Sequence, residues 1–544
     1  MKASAIRPAL PSGQAMALAA SGLRVAGGRA LAFWRNRRAG LLLWLVFLVF
    51  LALIQFSSPD LPDNDGFYHI KLSYLMRTEG LKPDFVWLPL SILNPREFYD
   101  HHFGFHVALM PFTFGDLRLG AKWAAVVFAS LAFMSAWNLL KNQRIPLAWV
   151  WSLGLMAISE AFIYRMSIPR AQSLSLAFLM LALDWLLRRK YARLLYLAAL
   201  YVWLYDAFPL LIAAAGLYAL AVLLIERRLD LQPLLLVALG TTAGLLFNPY
   251  FPHNVVFAVL HVLPKLAGAT AASVGNEWFP YDTAQLLKNS FLALAAFTSA
   301  PLALGLSGRR MDVRTAFSFL LACLFGLMLF QSRRFVEYFP PFALIFAVFA
   351  WSPILVAASE KAEGNPPKHA RASAPQGQLA RLVLALGPAI RSWIPAAALL
   401  AVLLPGIWST FNRSVASMQT SKPYETYAAA SSWLAEHSPA GARVFQTDWD
   451  DFPRLFYYNT HNTYLIGLDP TYMQTYNSAL YELWVDVTRG RIEAPSRVIA
   501  GEFGASYILT DLRHGEFIEQ AGNDPGMREV YRDGEAVIYE VYGG

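Results

Sequence analysis

The chain has 544 residues, of which 56% are hydrophobic and only 15% are charged, and its mean hydropathy is +0.39. Soluble domains carry about 25% charged residues, so this composition indicates an integral membrane protein with a water-exposed part. It excludes a disordered chain, a coiled coil and a collagen-like protein. The single cysteine, Cys323, excludes an intramolecular disulfide and a structural zinc site built on several cysteines.

The net charge of +8 is divided unevenly along the chain. The last part, Phe411–Gly544, has 10 Lys and Arg against 18 Asp and Glu, a balance of −8. The preceding part has 35 against 19, a balance of +16. A basic protein can bind nucleic acid, but Lys and Arg also collect in the cytoplasmic loops of membrane proteins. We therefore expect membrane lipids as partners and no nucleic acid.

The first apolar run, Ala39–Phe56, is long enough to cross a bilayer. A cluster of arginines comes shortly before it: Arg24, Arg29, Arg35, Arg37 and Arg38. The positive-inside rule therefore predicts that residues 1–38 form a cytoplasmic segment. The run is long and no small-residue cleavage site follows it, which argues against a cleaved signal peptide.

Ten more apolar runs give about eleven predicted spans in an α-helical polytopic membrane bundle. They lie at 120–140, 145–160, 171–187, 193–205, 207–225, 232–248, 290–307, 315–331, 339–357 and 382–407. If the chain starts inside, the inner loops are Lys141–Arg144, Arg188–Arg193, Glu226–Asp230, Arg309–Arg314 and Lys361–Arg381. Each of these loops contains several basic residues, as the positive-inside rule requires.

The same topology places loops 57–119 and 248–289 outside, together with the acidic C-terminal region. We predict a transmembrane domain at 39–408 and an extracytoplasmic soluble α/β domain at 409–544, in the periplasm of a bacterium whose inner membrane holds the protein. In the soluble domain, Tyr424–Glu436 has the pattern of an amphipathic helix. Three segments have the pattern of strands: Ala442–Thr447, Ala505–Thr510 and Ala536–Val541.

The first outer loop carries three carboxylates within six positions, Asp60, Asp63 and Asp65. Carboxylates this close bind a divalent cation or raise one another's pKa. The alternative is a solvated acidic turn that caps a helix. Since His69 and two aromatic residues are unusual next to a plain turn, we favour a metal-assisted or general-base site.

A second part of this loop, Tyr99–His102, adds two imidazoles to a carboxylate. His101 and His102 are either metal ligands or residues that only position the loop, and both readings stay open. In the next outer loop, Glu277 precedes two large aromatic residues. Taken alone, this sequence around Glu277 is interpreted more simply as a loop that packs on the membrane surface.

Four arginines are predicted to lie on the outer side. Arg333 and Arg334 stand there against the positive-inside bias, and arginine forms paired hydrogen bonds with phosphate. We favour a specific phosphate role over snorkelling to lipid headgroups. Arg165 and Arg170 add positive charge to the same face.

The soluble region contains an acidic, aromatic turn directly after its first predicted strand. This turn reads Asp448-Trp449-Asp450-Asp451. Loops at strand ends often carry binding groups. The alternative is an ordinary connection between a strand and a helix, with Trp449 in the core.

Taken in order, these motifs resemble the catalytic subunit of oligosaccharyltransferase, one of the C-type membrane glycosyltransferases, which use polyprenyl-phosphate-linked sugars. Asn64-Asp65-Gly66-Phe67 is similar to the family's first-loop acidic motif, and Glu277 lies where the family has an outer-loop glutamate. The resemblance implies that Asp65 and Glu277 are catalytic and bind Mg²⁺ or Mn²⁺. Further candidate ligands of that metal are Asp63, His101 and His102.

The resemblance also implies where the donor and acceptor bind. Arg333 or Arg334 matches an arginine that holds the donor phosphate. Trp449-Asp450-Asp451-Phe452 is similar to the Trp-Trp-Asp-Tyr-Gly motif for acceptor recognition. Acceptor binding is therefore implied for Trp449, Asp450 and Asp451.

Two positions depart from the family pattern. The segment Ile168–Gln172, with Arg170 at its centre, stands where the family has an acidic pair. In the acceptor motif Asp448 replaces the first Trp, and Pro453 follows instead of Gly. A C-type enzyme with an acceptor other than the Asn-x-Ser/Thr sequon fits these departures at least as well.

The predicted function is transfer of a sugar or oligosaccharide from a polyprenyl-(pyro)phosphate donor to a protein, lipid or glycan acceptor on the outer face, with inversion at the anomeric carbon. Two alternatives are a flippase or transporter for lipid-linked sugars and a non-catalytic scaffold for envelope assembly. A transporter needs ionisable groups along a path through the membrane, and the predicted spans are nearly free of them. A scaffold gives no reason for acidic and arginine motifs on one face.

Overall fold

The structure is a computed structural model that describes residues 38–262, 275–308, 310–362 and 388–542. Three predicted features fall wholly or mostly outside these residues. They are the N-terminal arginines before Arg38, the middle of loop 248–289 and nearly all of the predicted inner loop Lys361–Arg381.

Among the described residues, seven helices are long and apolar enough to cross a membrane, as expected of an integral membrane protein. They are Arg38–Gln55, Leu117–Asn142, Pro209–Glu226, Thr283–Ser307, Val313–Gln331, Phe339–Ala362 and Pro388–Gln419. Glu160–Ser167 and Gln172–Leu187 form one broken span if they are counted together, with a bend of 110° between them. Three apolar helices are shorter: Phe103–Phe112, Ala192–Leu204 and Gln232–Leu246.

The predicted count of about eleven spans is therefore not confirmed. The clearest difference lies at 145–160, where helix Ala148–Leu153 passes into a 3₁₀ turn at Gly154–Met156. The Ser159 hydroxyl accepts a hydrogen bond from the backbone N–H of Phe162 and so starts a new helix. The apolar composition of this stretch reflects burial among other helices and not a continuous crossing.

Helices in the bundle pack against both consecutive and non-consecutive helices. Leu117–Asn142 packs against Gln172–Leu187, and Thr283–Ser307 packs against Phe339–Ala362. Val313–Gln331 lies between Phe339–Ala362 and Pro209–Glu226. The segments that connect these helices bring the polar residues discussed below to the same region.

The C-terminal region forms a five-stranded mixed sheet, which agrees with the predicted α/β class. Its strands are β1 Arg443–Gln446, β2 Thr463–Tyr464, β3 Tyr507–Asp511, β4 Met527–Arg532 and β5 Ala536–Val541. The order is β2-β1-β3-β5-β4, with β1 parallel to β2 and β3, and β5 antiparallel to β3 and β4. The helices of this region are Ala428–His437, Phe452–Tyr458, Pro470–Tyr476, Ser478–Thr488, Pro495–Gly501 and Gly515–Asn523.

The three predicted strands correspond to β1, β3 and β5. Strand β2 is only two residues long, and β4 lies at the sheet edge with mostly exposed side chains. Neither has the apolar pattern on which the prediction depends. The predicted helix Tyr424–Glu436 begins only at Ala428, because Tyr427 has a left-handed backbone with φ of 66°.

Segment 57–119, predicted to be the first outer loop, packs onto this sheet and does not stand alone. It contains the helices Asp65–Glu79 and Phe103–Leu109. Trp87 and Phe456 make an edge contact with ring centroids 4.8 Å apart, and the Trp87 carbonyl accepts a hydrogen bond from the backbone N–H of Tyr464 at 2.8 Å. A shared hydrophobic core therefore joins the loop to the C-terminal region and fixes the start of helix Asp65–Glu79 beside it.

Candidate active site

Seven of the ten predicted site residues converge on one cavity of about 550 Å³. Its walls include parts of segment 57–119, the turn near Arg170, the loop before Thr283 and the C-terminal region. The predicted residues that line it are Asp65, His101, His102, Glu277, Arg334, Trp449 and Asp450. Residues more than 380 positions apart in the sequence thus face the same space.

Asp65 is placed by the tight start of its helix. It is the first residue of helix Asp65–Glu79 and lies two positions after Asp63, whose backbone has a φ of 103°. A non-glycine residue in this conformation is strained, and such strain is common at functional sites. A Cβ on Gly66 would lie 2.5 Å from Cγ of Pro169, so only glycine lets this helix approach the turn that carries Arg170.

The Arg170 guanidinium lies among three carboxylates. Its Nη2 is 2.5 Å from Oδ2 of Asp63 and 2.7 Å from Oδ2 of Asp65. Its Nη1 is 3.6 Å from Oε2 of Glu277. The side chain is only 14% exposed, so water screens these contacts weakly.

Glu277 connects Arg170 to a second and a third arginine. Its Oε2 accepts a hydrogen bond from Arg165 at 2.9 Å, and its Oε1 accepts one from Arg334 at 3.0 Å. Arg165 also pairs with the buried Glu337. Three guanidinium groups and four carboxylates, with Asp63 and Asp65 included, thus form one continuous network.

Arg334 holds the position best suited to an anion. It donates to the hydroxyl of Tyr205 at 2.5 Å, and its guanidinium lies 5.2 Å from the ring centroid of Trp278. Arg333 points elsewhere: its Nε donates to the carbonyl of Pro280 at 3.1 Å. Of the two arginines predicted to bind phosphate, only Arg334 lines the main cavity, whereas both line a second cavity of about 420 Å³.

The network shifts the pKa values of the two predicted catalytic carboxylates in opposite directions. Burial raises the pKa of Asp65 to about 6, with Asp63 and Glu277 adding to the rise and Arg170 opposing it. Burial also disfavours the charged form of Glu277, but Arg334, Arg165 and Arg170 outweigh it and hold its pKa well below the usual value. Glu277 is therefore a fixed anion, and Asp65 is the group able to exchange a proton near neutral pH.

Asp450 closes the cavity from the side of the C-terminal region. Its Oδ2 accepts a hydrogen bond from the Asn64 side-chain amide at 2.7 Å, which links the Trp449–Phe452 segment to segment 57–119. Burial raises the pKa of Asp450 to about 8, and repulsion by Asp63, Asp65 and Asp448 adds to the rise. Trp449 lies beside it on the wall of the same cavity.

Asp451 is turned away from the cavity toward a second acidic group. One carboxylate oxygen from each of Asp448, Asp451 and Asp511 lies within 4.8 Å of the others. Asp511 already has a hydrogen-bond partner in Nδ1 of His514, at 2.6 Å, and ion-pairs with Arg513. Burial raises the pKa of Asp451 to about 7, with repulsion by Asp448 next in size.

The histidines form a buried chain that leads to the cavity. Nδ1 of His106 lies 2.7 Å from Oδ2 of Asp100, and Nε2 of His106 lies 2.8 Å from Nδ1 of His69. His102 stacks on Tyr205 with ring centroids 5.3 Å apart. Both predicted candidate histidines thus line the cavity, but they lie among aromatic rings and imidazoles.

The predicted metal ligands do not assemble as a metal site. Among the described residues, Asp448, Asp451 and Asp511 are the only group of three His, Cys, Asp or Glu residues with donor atoms within 4.8 Å of one another. Asp63, Asp65 and Glu277 have the guanidinium of Arg170 between them instead. They do not fit Mg²⁺ or Mn²⁺, which needs oxygens at about 2.1 Å.

Sequence reasoning missed Arg454, which is fully buried. Its Nε donates to Oδ1 of Asn64 at 2.8 Å, and its guanidinium lies 4.3 Å from the ring centroid of Phe67. It also donates to the carbonyls of Pro423 and Tyr424. Its place directly after Trp449–Pro453 was the one available signal. Arg454 thus holds the Trp449–Phe452 segment against segment 57–119.

No protein-family model matches the chain, and no curated protein matches it by sequence. Solved structures do match. The oligosaccharyltransferase of Archaeoglobus fulgidus in its apo form has a TM-score of 0.63 at 14% identity, covering 91% of this chain and 72% of that one. ArnT from Cupriavidus metallidurans, bound to undecaprenyl phosphate, has a TM-score of 0.55 at 15% identity, with 92% and 97% covered.

The chain has the fold of the C-type membrane glycosyltransferases. A third structure with this fold, the arabinofuranosyltransferase AftD from mycobacteria, has a TM-score of 0.52 at 15% identity and covers 93% of this chain and 40% of its own. The resemblance to oligosaccharyltransferase inferred from the motifs is thus confirmed at the level of the C-type fold. Sequence identities of 14–15% support a shared fold and nothing more specific.

Proposed function

We propose that this protein is a glycosyltransferase that moves a sugar or oligosaccharide from a polyprenyl-(pyro)phosphate donor to an acceptor. The observation that carries the proposal is the meeting of Asp65, Arg334 and Asp450 in one cavity. The C-type fold supports it, because solved structures with this fold were bound to dolichol-phosphate and to undecaprenyl phosphate.

Arg334 is the proposed anchor of the donor phosphate. Bond cleavage leaves negative charge on the phosphate oxygen, and a cation fixed there lowers the barrier. Glu277 holds the Arg334 guanidinium from one side and Tyr205 holds it from another, so it needs little reorganisation when the donor binds. Arg333, which faces Pro280 and Tyr281, is available to a headgroup in the second cavity.

Asp65 is the proposed general base. It takes the proton of an acceptor O–H or N–H group while the acceptor oxygen or nitrogen bonds to the anomeric carbon. The bond between that carbon and the phosphate oxygen breaks, and its electron pair leaves with the phosphate. A single direct displacement inverts the anomeric centre.

The acceptor is proposed to enter beside Trp449 and Asp450. A protein, lipid or glycan acceptor with a free hydroxyl or amide satisfies the chemistry, and the departures at Asp448 and Pro453 argue against dependence on the sequon. We place the N-terminus in the cytoplasm and residues 409–544 outside, in the periplasm of a bacterial inner membrane. Basic inner loops and the acidic C-terminal region support that orientation.

A flippase or a scaffold accounts for less of the site. The charged residues of the network lie at helix ends and in loops and do not follow a path along the spanning helices. A scaffold has no need of a base with a pKa near 6 inside a cavity. Neither alternative is favoured.

The deciding experiment compares lipid-linked sugars and surface glycans by mass spectrometry with and without the gene. Accumulation of one lipid-linked sugar together with loss of one glycan is expected, and it names both substrates. Complementation with Asp65→Asn is expected to leave the donor accumulated, whereas the exposed-site control Asp486→Asn restores the glycan. Unchanged lipid-linked sugars and glycans in the deletion strain, or full rescue by Asp65→Asn, contradicts the proposal.

A further inference from the structure

Arg170 occupies the space in which the carboxylates of the site meet. One of its nitrogens, Nη2, contacts Oδ2 of both Asp63 and Asp65, at 2.5 and 2.7 Å, and Nη1 faces Glu277 at 3.6 Å. These are three of the residues that the sequence offers as metal ligands. We propose that the Arg170 guanidinium takes the place of a divalent cation at this centre, and that the centre works without a bound metal.

The first reason is steric. Arg170 reaches the carboxylates from the turn between helices Glu160–Ser167 and Gln172–Leu187, and its backbone N–H is bonded to the carbonyl of Ile168 at 2.8 Å. The preceding Pro169 lies against Gly66 so closely that a Cβ on Gly66 would come within 2.5 Å. The backbone that carries Arg170 is therefore fixed close to the start of helix Asp65–Glu79, and the contacts with Asp63 and Asp65 keep the guanidinium between the carboxylates.

The second reason is electrostatic. A divalent ion among Asp63, Asp65 and Glu277 would lie within a few ångströms of Arg170, and Arg165 and Arg334 also contact the Glu277 carboxylate. Arginine stays protonated at every physiological pH. With three guanidinium groups already paired to these carboxylates, an added dication meets strong repulsion at short range.

The third reason is the chemistry that remains possible. A guanidinium gives Asp65 a fixed orientation and partly neutralises Asp63, as a metal would. It has no open coordination position, so it cannot polarise an acceptor oxygen directly. The acceptor must then be activated by the Asp65 carboxylate alone. This last role rests on the proposed function, whereas the occupation of the cation position does not.

The test measures metal binding in the purified full-length protein. Mn²⁺ is titrated by electron paramagnetic resonance after dialysis against EDTA, for the native protein, Arg170→Ala, Arg170→Lys and the double variant Arg170→Ala/Asp65→Asn. Any Mn²⁺ held by Asp448, Asp451 and Asp511 is common to all four and cancels in the comparison. We expect Arg170→Ala to gain one Mn²⁺ that the double variant loses again, and the native and Lys forms to lack it.

Either of two results overturns the proposal. One is Mn²⁺ bound by the native protein in excess of that bound by the double variant, which means that a metal lies there beside Arg170. The other is no gain in Arg170→Ala, which means that the carboxylates do not form a cation site. Where transfer is measurable, EDTA is expected to leave the native rate within twofold, and restoration of a lost rate by Mn²⁺ contradicts the proposal. A protein without transferase activity still gives a clear answer in the binding titration.

Discussion

The pKa of Asp65 is set by burial and by its charged neighbours. Burial pushes Asp65 toward the neutral form, Asp63 and Glu277 push in the same direction, and Arg170 opposes them. The result is a carboxyl with a pKa of about 6, near the range in which a general base works best. Since the base must be ionised, transfer is expected to fall as pH decreases through about 6.

Asp63→Asn tests this assignment. It removes a negative charge that raises the pKa of Asp65, so the acidic limb of the kcat/KM profile is expected to move to lower pH by about 1 unit. Asparagine tolerates the positive φ of this position and keeps an oxygen for the backbone N–H of Asn64. The measurement is the pH dependence of kcat/KM between about pH 4.5 and pH 8.

The matched control is Asp486→Asn, which removes a carboxylate paired with Arg491 on the exposed surface. Its profile is expected to overlay that of the native protein. If the acidic limb of the kcat/KM profile does not move in Asp63→Asn, or moves equally in the control, then a group other than Asp65 is responsible for it.

At the scale of elements, the approach of helix Asp65–Glu79 to the turn at Pro169 sets the contact between Asp65 and Arg170. The two parts meet through Gly66, where an added Cβ has no room. The contact requires a strained backbone at Asp63 and a residue without a side chain at position 66. In return, it brings the carboxylates of Asp63 and Asp65 to the same guanidinium.

Gly66→Ala is expected to reduce transfer by about 10²-fold, because displacements near 1 Å have effects of this size in active sites. The proline ring cannot yield as a flexible side chain would, so the helix itself must shift, with a loss of stability of about 1–3 kcal/mol. The measurements are the transfer rate and the midpoint of thermal unfolding in detergent.

Gly216→Ala is the control for this prediction. It lies inside helix Pro209–Glu226, and nothing stands within 4 Å of the added Cβ. The native rate and equal or slightly higher stability are expected, since alanine favours a helix by about 1 kcal/mol over glycine. Equal behaviour of the two variants means that the close contact at Pro169 does not position Asp65.

The elements also show how far sequence reasoning reaches. Length and apolar composition are enough to find helices such as Leu117–Asn142 and Val313–Gln331, because a membrane span needs little else. Asp65 and Arg334 are predictable because charge stands out in apolar surroundings, whereas Glu277 is predicted only through the family resemblance. The role of Arg170 is not predictable, because its partners lie about 100 residues away on either side and no local pattern joins them. Arg454 likewise resembles an ordinary surface arginine until its burial is known.

At the scale of the whole molecule, segment 57–119 and the C-terminal sheet share one hydrophobic core. Phe85 and Phe98 stack at 4.3 Å within this segment, and Trp87 carries the contact across to Phe456. The indole N–H of Trp87 also donates to the carbonyl of Thr460 at 3.0 Å. Because the cavity lies between these two parts, its geometry depends on their joint stability.

Trp87→Ala is therefore expected to loosen both parts together and to lower the free energy of unfolding by about 3–5 kcal/mol, the usual cost of emptying a buried aromatic site. Hydrogen exchange followed by mass spectrometry is expected to show faster exchange in helix Asp65–Glu79 and in β1 and β3 alike. Tyr476→Ala, at a side chain of the C-terminal region that is 46% exposed, is the control and is expected to change stability by less than about 0.5 kcal/mol. Faster exchange confined to residues 57–119 contradicts the shared core, since a sheet that stays protected does not depend on the loop for its stability.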